Sequence, residues 1–247
     1  MLFSIVKRIT TCTGCFFITL LLAQPAAASV TILGTRIIYP ASVKEVTVRL
    51  QNKGDSPELV QSWIDSGDAN QPLDEIDVPF ILMPPVARIE PHSGQTLRLL
   101  FTGGNLPAGK ESVFWLNVLA IPPEDEKLAD KNKLQMAVRN RIKIFYRPAG
   151  LSRDGAELAA KQIVWRQTGN ALSGYNNSPY HVNIPSVTVA DAAGKKYSSV
   201  KGLMISPGGT QAFTLANAKN IQARGAVNYT YIDDYGSARK VETMLSH

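Results

Sequence analysis

Few residues in this chain of 247 could carry out bond-making chemistry. The histidines are His92, His181 and His247, and none has a partner at metal-ligand spacing. Each is expected to be a loop or surface residue. Both cysteines, Cys12 and Cys15, fall in the N-terminal leader, so none is left to help hold a metal. No nucleophile elbow supports a Ser-His-Asp site, although such triads assemble in space. The pair Gly103-Gly104 opens no helical pattern, which excludes a phosphate loop. No metal and no cofactor is expected, and the chain does not read as an enzyme. The chemistry that remains is that of charge in apolar strands. Arg36 and Lys143 each interrupt an otherwise apolar run, which costs burial energy unless a partner group compensates. Taken alone they could equally be surface cations that snorkel to water.

The element that carries Lys143 organises the chain. The stretch Leu134 to Pro148, LQMAVRNRIKIFYRP, begins with period-two alternation: Leu134, Met136 and Val138 share one face. Pro148 removes a ladder donor and ends it. One long strand with an exposed apolar stripe at its start is predicted. Such a stripe is an aggregation hazard unless it is kept for pairing with a foreign sheet edge. Strict parity puts Lys143 on the face opposite Leu134, Met136 and Val138. Either a bulge intervenes or a cleft receives the other face.

About seven short strands precede or include that stretch. They are Val30 to Tyr39, Lys44 to Gln51, Leu59 to Ile64, Phe80 to Met83, Thr96 to Phe101, Val113 to Ile121 and the long strand itself. Asp65 to Asp77 and Glu124 to Lys133 read as loops, and no credible helix is found. Trp63, Trp115 and Trp165 are expected in the core. This spacing of strands and turns is that of an immunoglobulin-like sandwich. Arg147 to Gly155 reads as a hinge, followed by a smaller all-β unit with strands near 162–166, 181–189, 211–215, 226–232 and 240–245. The expected fold is all-β, in two β-sandwich domains over 29–148 and 149–247.

The first 28 residues have the form of a cleaved secretory signal. Lys7 and Arg8 precede a short apolar core from Phe16 to Leu22, and Ala26 to Ala28 supply the small-residue cleavage pattern. The run is too short for a comfortable membrane span, so no stable membrane insertion is expected. Removing Lys7 and Arg8 takes the formal charge from +6 to +4. The mature chain would be exported yet hold its fold without disulfides. The mild, scattered excess of 26 basic over 20 acidic residues argues against a nucleic-acid partner.

Six motifs in order, TRIIYP (35–40), LVQSWID (59–65), PPVARIEP (84–91), ESVFWLNVLAIPP (111–123), RIKIFYRP (141–148) and IDDYG (232–236), closely resemble the periplasmic pilus-assembly chaperones of the chaperone–usher pathway. The resemblance implies two immunoglobulin-like domains set in an L, with a cleft between them. It implies a long edge strand donated to a pilus subunit that lacks its own last strand, and delivery of that subunit to an outer-membrane usher. Leu134, Met136 and Val138 would then fill the subunit core, at about 1.5–3 kcal/mol for each fully buried side chain. Arg36 and Lys143 would hold the subunit's C-terminal carboxylate, which fits the charge-assisted chemistry such a group needs when taken out of water. Glu111, Arg147 and Asp234 match an interdomain ion network. Leu59, Gln61, Pro84, Pro85 and Ile121 match an usher-facing surface, though prolines after short strands also serve as edge protection. The short charged loop and the absence of mature cysteines resemble the short-loop subgroup, which serves rod-like pili. The same exposed stripe would permit self-association of the free chaperone through the donor strand. From a different class, an exported immunoglobulin-like binding or adhesive module would account for the fold without these paired cations.

Overall fold

A computed structural model describes residues 30–124, 134–219 and 221–246. The expected signal, most of the charged loop after Glu124, and His247 lie outside the described residues. Nine strands form the first domain: β1 (Val30–Ile32), β2 (Arg36–Pro40), β3 (Glu45–Asn52), β4 (Glu58–Asp65), β5 (Phe80–Met83), β6 (Val86–Ile89), β7 (Gly94–Phe101), β8 (Ser112–Ile121) and β9 (Val138–Arg147). One sheet has the order β1-β3-β7-β5 and the other β2-β9-β8-β4-β6. All neighbours are antiparallel except β2 and β9, which run parallel. The alternation of apolar residues places Val48, Leu50, Val60, Leu97, Leu99, Leu116, Val118 and Ile144 in one core between the sheets. An aromatic cluster of Tyr39, Phe80, Phe101, Phe114 and Tyr146 closes the end of this core nearest the second domain. The Tyr39 hydroxyl is satisfied there: it donates to the Lys44 carbonyl at 2.8 Å and accepts from the Phe101 N–H at 2.9 Å.

The expected first strand, Val30 to Tyr39, is two strands in different sheets. Gly34 has φ of +145°, a conformation that glycine adopts freely, and it sits where the chain changes sheets. Pro84 and Pro85 make the other change of sheet, between β5 and β6; β6 was not anticipated.

The second domain corrects the expectation that no helix exists. Helix α1 spans Arg153–Lys161. Its N-cap is Ser152, whose hydroxyl accepts from the Gly155 N–H at 3.0 Å. Asp154 in the first turn and Lys161 in the last complement the helix dipole. Gly155 is required by packing: a Cβ there would meet the Tyr180 hydroxyl at 2.2 Å. Then follow β10 (Val164–Thr168), β11 (Ala171–Tyr175), β12 (Val182–Ile184), β13 (Ser186–Asp191), β14 (Lys196–Ser198), β15 (Leu203–Ile205), β16 (Thr210–Thr214), β17 (Ala223–Ile232) and β18 (Ala238–Met244). They form sheets β10-β11-β16, β12-β15 and β14-β13-β17-β18. Trp165, Leu172, Val187, Phe213, Val227 and Tyr229 fill their core. Of the tryptophans only Trp165 is fully buried. Trp63 and Trp115 are half-buried, because their strand positions fall on the outer face of the five-stranded sheet.

Candidate functional site

The parallel pairing of β2 with β9 sets Arg36 beside Lys143. One residue further on, Ile37 and Ile144 point into the core, so the two cations share the outer face. The Arg36 guanidinium reaches the second domain, donating from Nη1 to the Ile232 carbonyl at 3.0 Å, and lies over the Phe145 ring. Its Nε is shielded from solvent and has no acceptor. Lys143 has no acidic partner among the described residues. Burial lowers its pKa, and the charges of Arg36 and Arg141 lower it further. Burial also lowers the pKa of Arg36, against the opposing fields of Asp234, Asp233 and Glu111. Two adjacent, partly desolvated cations, neither hydrogen-bonded to a carboxylate among the described residues, thus share this face.

The next cation along this face of β9 is neutralised. Arg141 donates to both oxygens of Asp65 and to the Gly67 carbonyl, and stacks over Trp115 at 4.8 Å. Burial opposes ionisation of Asp65, but bonds from Arg141, Asn117 and the Gly67 N–H outweigh it and hold the carboxyl below its usual range. Arg141 is therefore a structural cation, unlike Lys143.

Beyond Arg36 the domains meet over one ion network among the described residues. Arg147 donates from Nε to Glu111 Oε1 at 2.8 Å, and through its two terminal nitrogens to Asp234 at 2.7 and 3.0 Å. Its side chain is 6% exposed. Burial opposes the charge on Arg147, and Asp234 and Glu111 together overcome that and raise its pKa. Glu111 also accepts from the His181 backbone N–H at 2.8 Å, and its own N–H donates to the Pro179 carbonyl. His181 lies in a loop, one of the two placements expected, but not at the surface: its side chain is 6% exposed and packs against Phe145. Nothing at sequence level pairs His181 with Glu111, because 70 residues separate them.

The three residues of the apolar stripe are all exposed, Leu134 at 86%, Met136 at 67% and Val138 at 45%. Only Val138 is in a strand, so the strand is shorter than expected. The reason is its neighbour: β8 ends at Ile121, and Pro122 and Pro123 after it lack ladder donors. The β8–β9 register runs without a shift from Ser112↔Tyr146 to Ala120↔Val138. No bulge intervenes, and Lys143 and Val138 point to opposite faces. Ahead of Lys143 the second edge of β9 has no strand partner among the described residues.

On the same sheet Leu59 faces Ile121 across β4 and β8, and Gln61 pairs with Val86. Pro84 and Pro85 lie where the chain enters β6, and the Pro85 carbonyl accepts from the Ser62 N–H at 2.7 Å. The five residues are thus near one another, with Leu59 and Pro85 the most open.

Residues 29–152 match the model of the pili and flagellar-assembly chaperone, PapD N-terminal domain, and 158–243 that of the pili assembly chaperone PapD, C-terminal domain. The chaperone protein FimB/FhaD of Bordetella pertussis is 39% identical over 231 residues, covering 91% of each chain. The probable fimbrial chaperone YadV of Escherichia coli is 41% identical, covering 91% of this chain and 93% of its own. The solved CupB2 chaperone of Pseudomonas aeruginosa superposes with a TM-score of 0.74 at 35% identity, covering 87% of this chain and all of its own. The SafB chaperone of Salmonella enterica, solved in complex with the SafA pilin, gives a TM-score of 0.74 at 28% identity, over 90% and 99% of the two chains.

Proposed function

The chain belongs to the PapD-type pilus-assembly chaperones, and from that premise we propose how its own residues handle a pilus subunit. The family's task is folding and delivery, not catalysis, and pilus subunits are its partners. Arg36 and Lys143 receive the subunit's terminal carboxylate. The observation that carries this reading is that Lys143 has no acidic partner among the described residues and the neighbouring Arg36 no hydrogen bond to a carboxylate, while Arg141 beside them is bonded to Asp65. The open edge of β9 from Val138 to Ile142 adds a strand to the subunit. Val138, Met136 and Leu134 extend from that edge into the gap in the subunit core. Because Lys143 and Val138 lie on opposite faces of β9 in an unbroken register, the carboxylate fixes which subunit residue meets which stripe residue.

Glu111, Arg147 and Asp234 hold the angle between the domains, whose boundaries we place at 29–148 and 149–247. Residues 1–28 are removed on export, and the mature chain works in the periplasm. Leu59, Gln61, Pro84, Pro85 and Ile121 face the usher.

The test is Lys143→Met, which keeps length and removes charge. Co-expressed with a pilus subunit, the variant should yield no stable complex. It should also be more stable alone. The folded pKa of Lys143 is depressed, so its ammonium destabilises the fold at neutral pH, and that penalty fades only as pH rises through the folded pKa toward the ordinary value of about 10.4. Normal complex yield with Lys143→Met would remove the anchor from this site.

A further inference from the structure

Between Ile144 and Val138, one face of β9 passes from the chaperone's own core to open solvent. Ile144 is fully buried, Ile142 packs against the same core, Asn140 is half-buried and Val138 is 45% exposed. Asn140 is the polar member of that row. Its Nδ2 donates to the Val30 carbonyl at 3.2 Å. Val30 belongs to β1, in the other sheet, so the bond spans the two sheets where β2 no longer covers β9. No apolar side chain could make it. The amide therefore marks where the chaperone's core ends and the stripe of Val138, Met136 and Leu134 begins. That position bears on register. A slip of one residue exchanges the faces of a strand, but a slip of two restores them. An apolar row alone cannot tell two such registers apart. A polar residue within the row can, as a single asparagine in a coiled-coil seam does at some cost in stability.

We propose that Asn140 is a specificity-determining residue for subunit capture, closing the stripe at Val138 so that a subunit strand displaced by two residues toward Lys143 is rejected. This rests on the reading that β9 adds a strand to the subunit and that Arg36 and Lys143 hold its carboxylate, and it adds which register is refused. In the accepted register the subunit's apolar groove ends at Val138, and Asn140 keeps its bond to Val30. In the displaced register that groove lies over Asn140. The Val30 bond uses one N–H of the amide, and the second N–H and the oxygen then lie against apolar groups. A polar group covered without a partner costs binding free energy, so the displaced complex is the weaker one.

The test sets the anchor against the amide. Deleting the last two residues of a pilus subunit that co-purifies with this chaperone keeps the parity of its faces. Its groove must then move two residues toward Lys143 for the new carboxylate to dock. Equal amounts of natural and shortened subunit are diluted together from denaturant onto the full mature chaperone, and mass spectrometry of the isolated complex reads their ratio. Wild type should favour the natural subunit by about 10- to 100-fold, the range for a covered amide left unpaired. Asn140→Val should bring the ratio to within about threefold of one. Asn140→Ala should do the same, and it serves where the Val variant folds poorly without the Val30 bond. A merely structural role would lower capture of both subunits alike and leave the ratio unchanged, which overturns the proposal. So does a wild-type ratio near one. Lys143→Met in the same mixture separates the premise: if it captures the natural subunit as wild type does, the anchor reading fails, and this proposal with it.

Discussion

Arg147→Ala should be among the most damaging single substitutions in the chain. Arg147 joins two acids from different domains, and all three side chains are largely out of water: 6% exposed for Arg147, 2% for Glu111 and 15% for Asp234. Truncation removes three charge-assisted hydrogen bonds and leaves both carboxylates facing each other. Glu111 keeps the His181 N–H, while Asp234 keeps only the field of Arg36. Removing one member of a buried ion pair costs about 3–5 kcal/mol, chiefly because the remaining charge is stranded. For a protein of this size each kcal/mol is worth roughly 2–4 °C, so the melting temperature should fall by roughly 6–20 °C. Differential scanning calorimetry reads this directly. Arg147→Lys should fall between, since it keeps the charge and loses the fork. The network bridges two cores, so a second transition in the variant would mean the domains no longer melt together. A fall of less than about 2 °C in Arg147→Ala would show that the network contributes nothing net, and the proposed control of domain angle would lose its basis.

Met136→Glu should leave the free chain folded, since an exposed side chain outside any strand contributes within about 0.5 kcal/mol. It should still abolish subunit complexes, and loss of the circular dichroism spectrum would place Met136 in the chaperone's own core instead. Asp65 has a depressed pKa in the fold, so its contribution is complete above the unfolded value of about 3.9 and is lost as pH falls through the folded one. Urea midpoints should therefore drop less between pH 5 and 2 in Asp65→Asn than in wild type, from a lower start at pH 7; parallel curves would refute the assignment.

What could be read from the sequence was set by periodicity. Strands such as β3, β7 and β8 alternate plainly, and the cations that break apolar runs, Arg36 and Lys143, stand out for the same reason. Helix α1 was hidden because its first turn, Arg153-Asp154-Gly155, has the composition of a hinge; the signal was Ser152 as a cap before a run with three alanines. The strands β14 and β15, three residues each, are too short to show a period, and β11 has Gly174 rather than an apolar side chain at one of its inward positions. His181 was missed for another reason. Its burial depends on Glu111 and Phe145, contributed by the other domain, and no local pattern encodes a contact over that distance.

The free edge and the pairing of Arg36 with Lys143 have one origin in the chain's first ten described residues. In the parallel register of β2 with β9, Arg36 stands opposite Lys143. Were that pairing continued backwards, Thr31 to Thr35 would stand opposite Val138 to Ile142 and cover the edge. The chain instead leaves the sheet. Gly34 takes a conformation open mainly to glycine, the Leu33 N–H bonds the Arg49 carbonyl at 2.8 Å, and β1 pairs with β3 in the other sheet. Only the Asn140 side chain still reaches back, donating to the Val30 carbonyl at 3.2 Å. The sheet change thus does two things at once. It makes β2 begin at the residue whose cation joins Lys143, and it withdraws the strand that would otherwise occupy the edge just ahead of them. An edge strand left open is normally blunted by charge or cover. Here Arg139 and Arg141 supply charge on the outer face, while the inward register has Val138 and Ile142 on either side of Asn140. The edge is therefore charged on one face and partly apolar on the other, which suits the proposed addition of a partner strand in a single register.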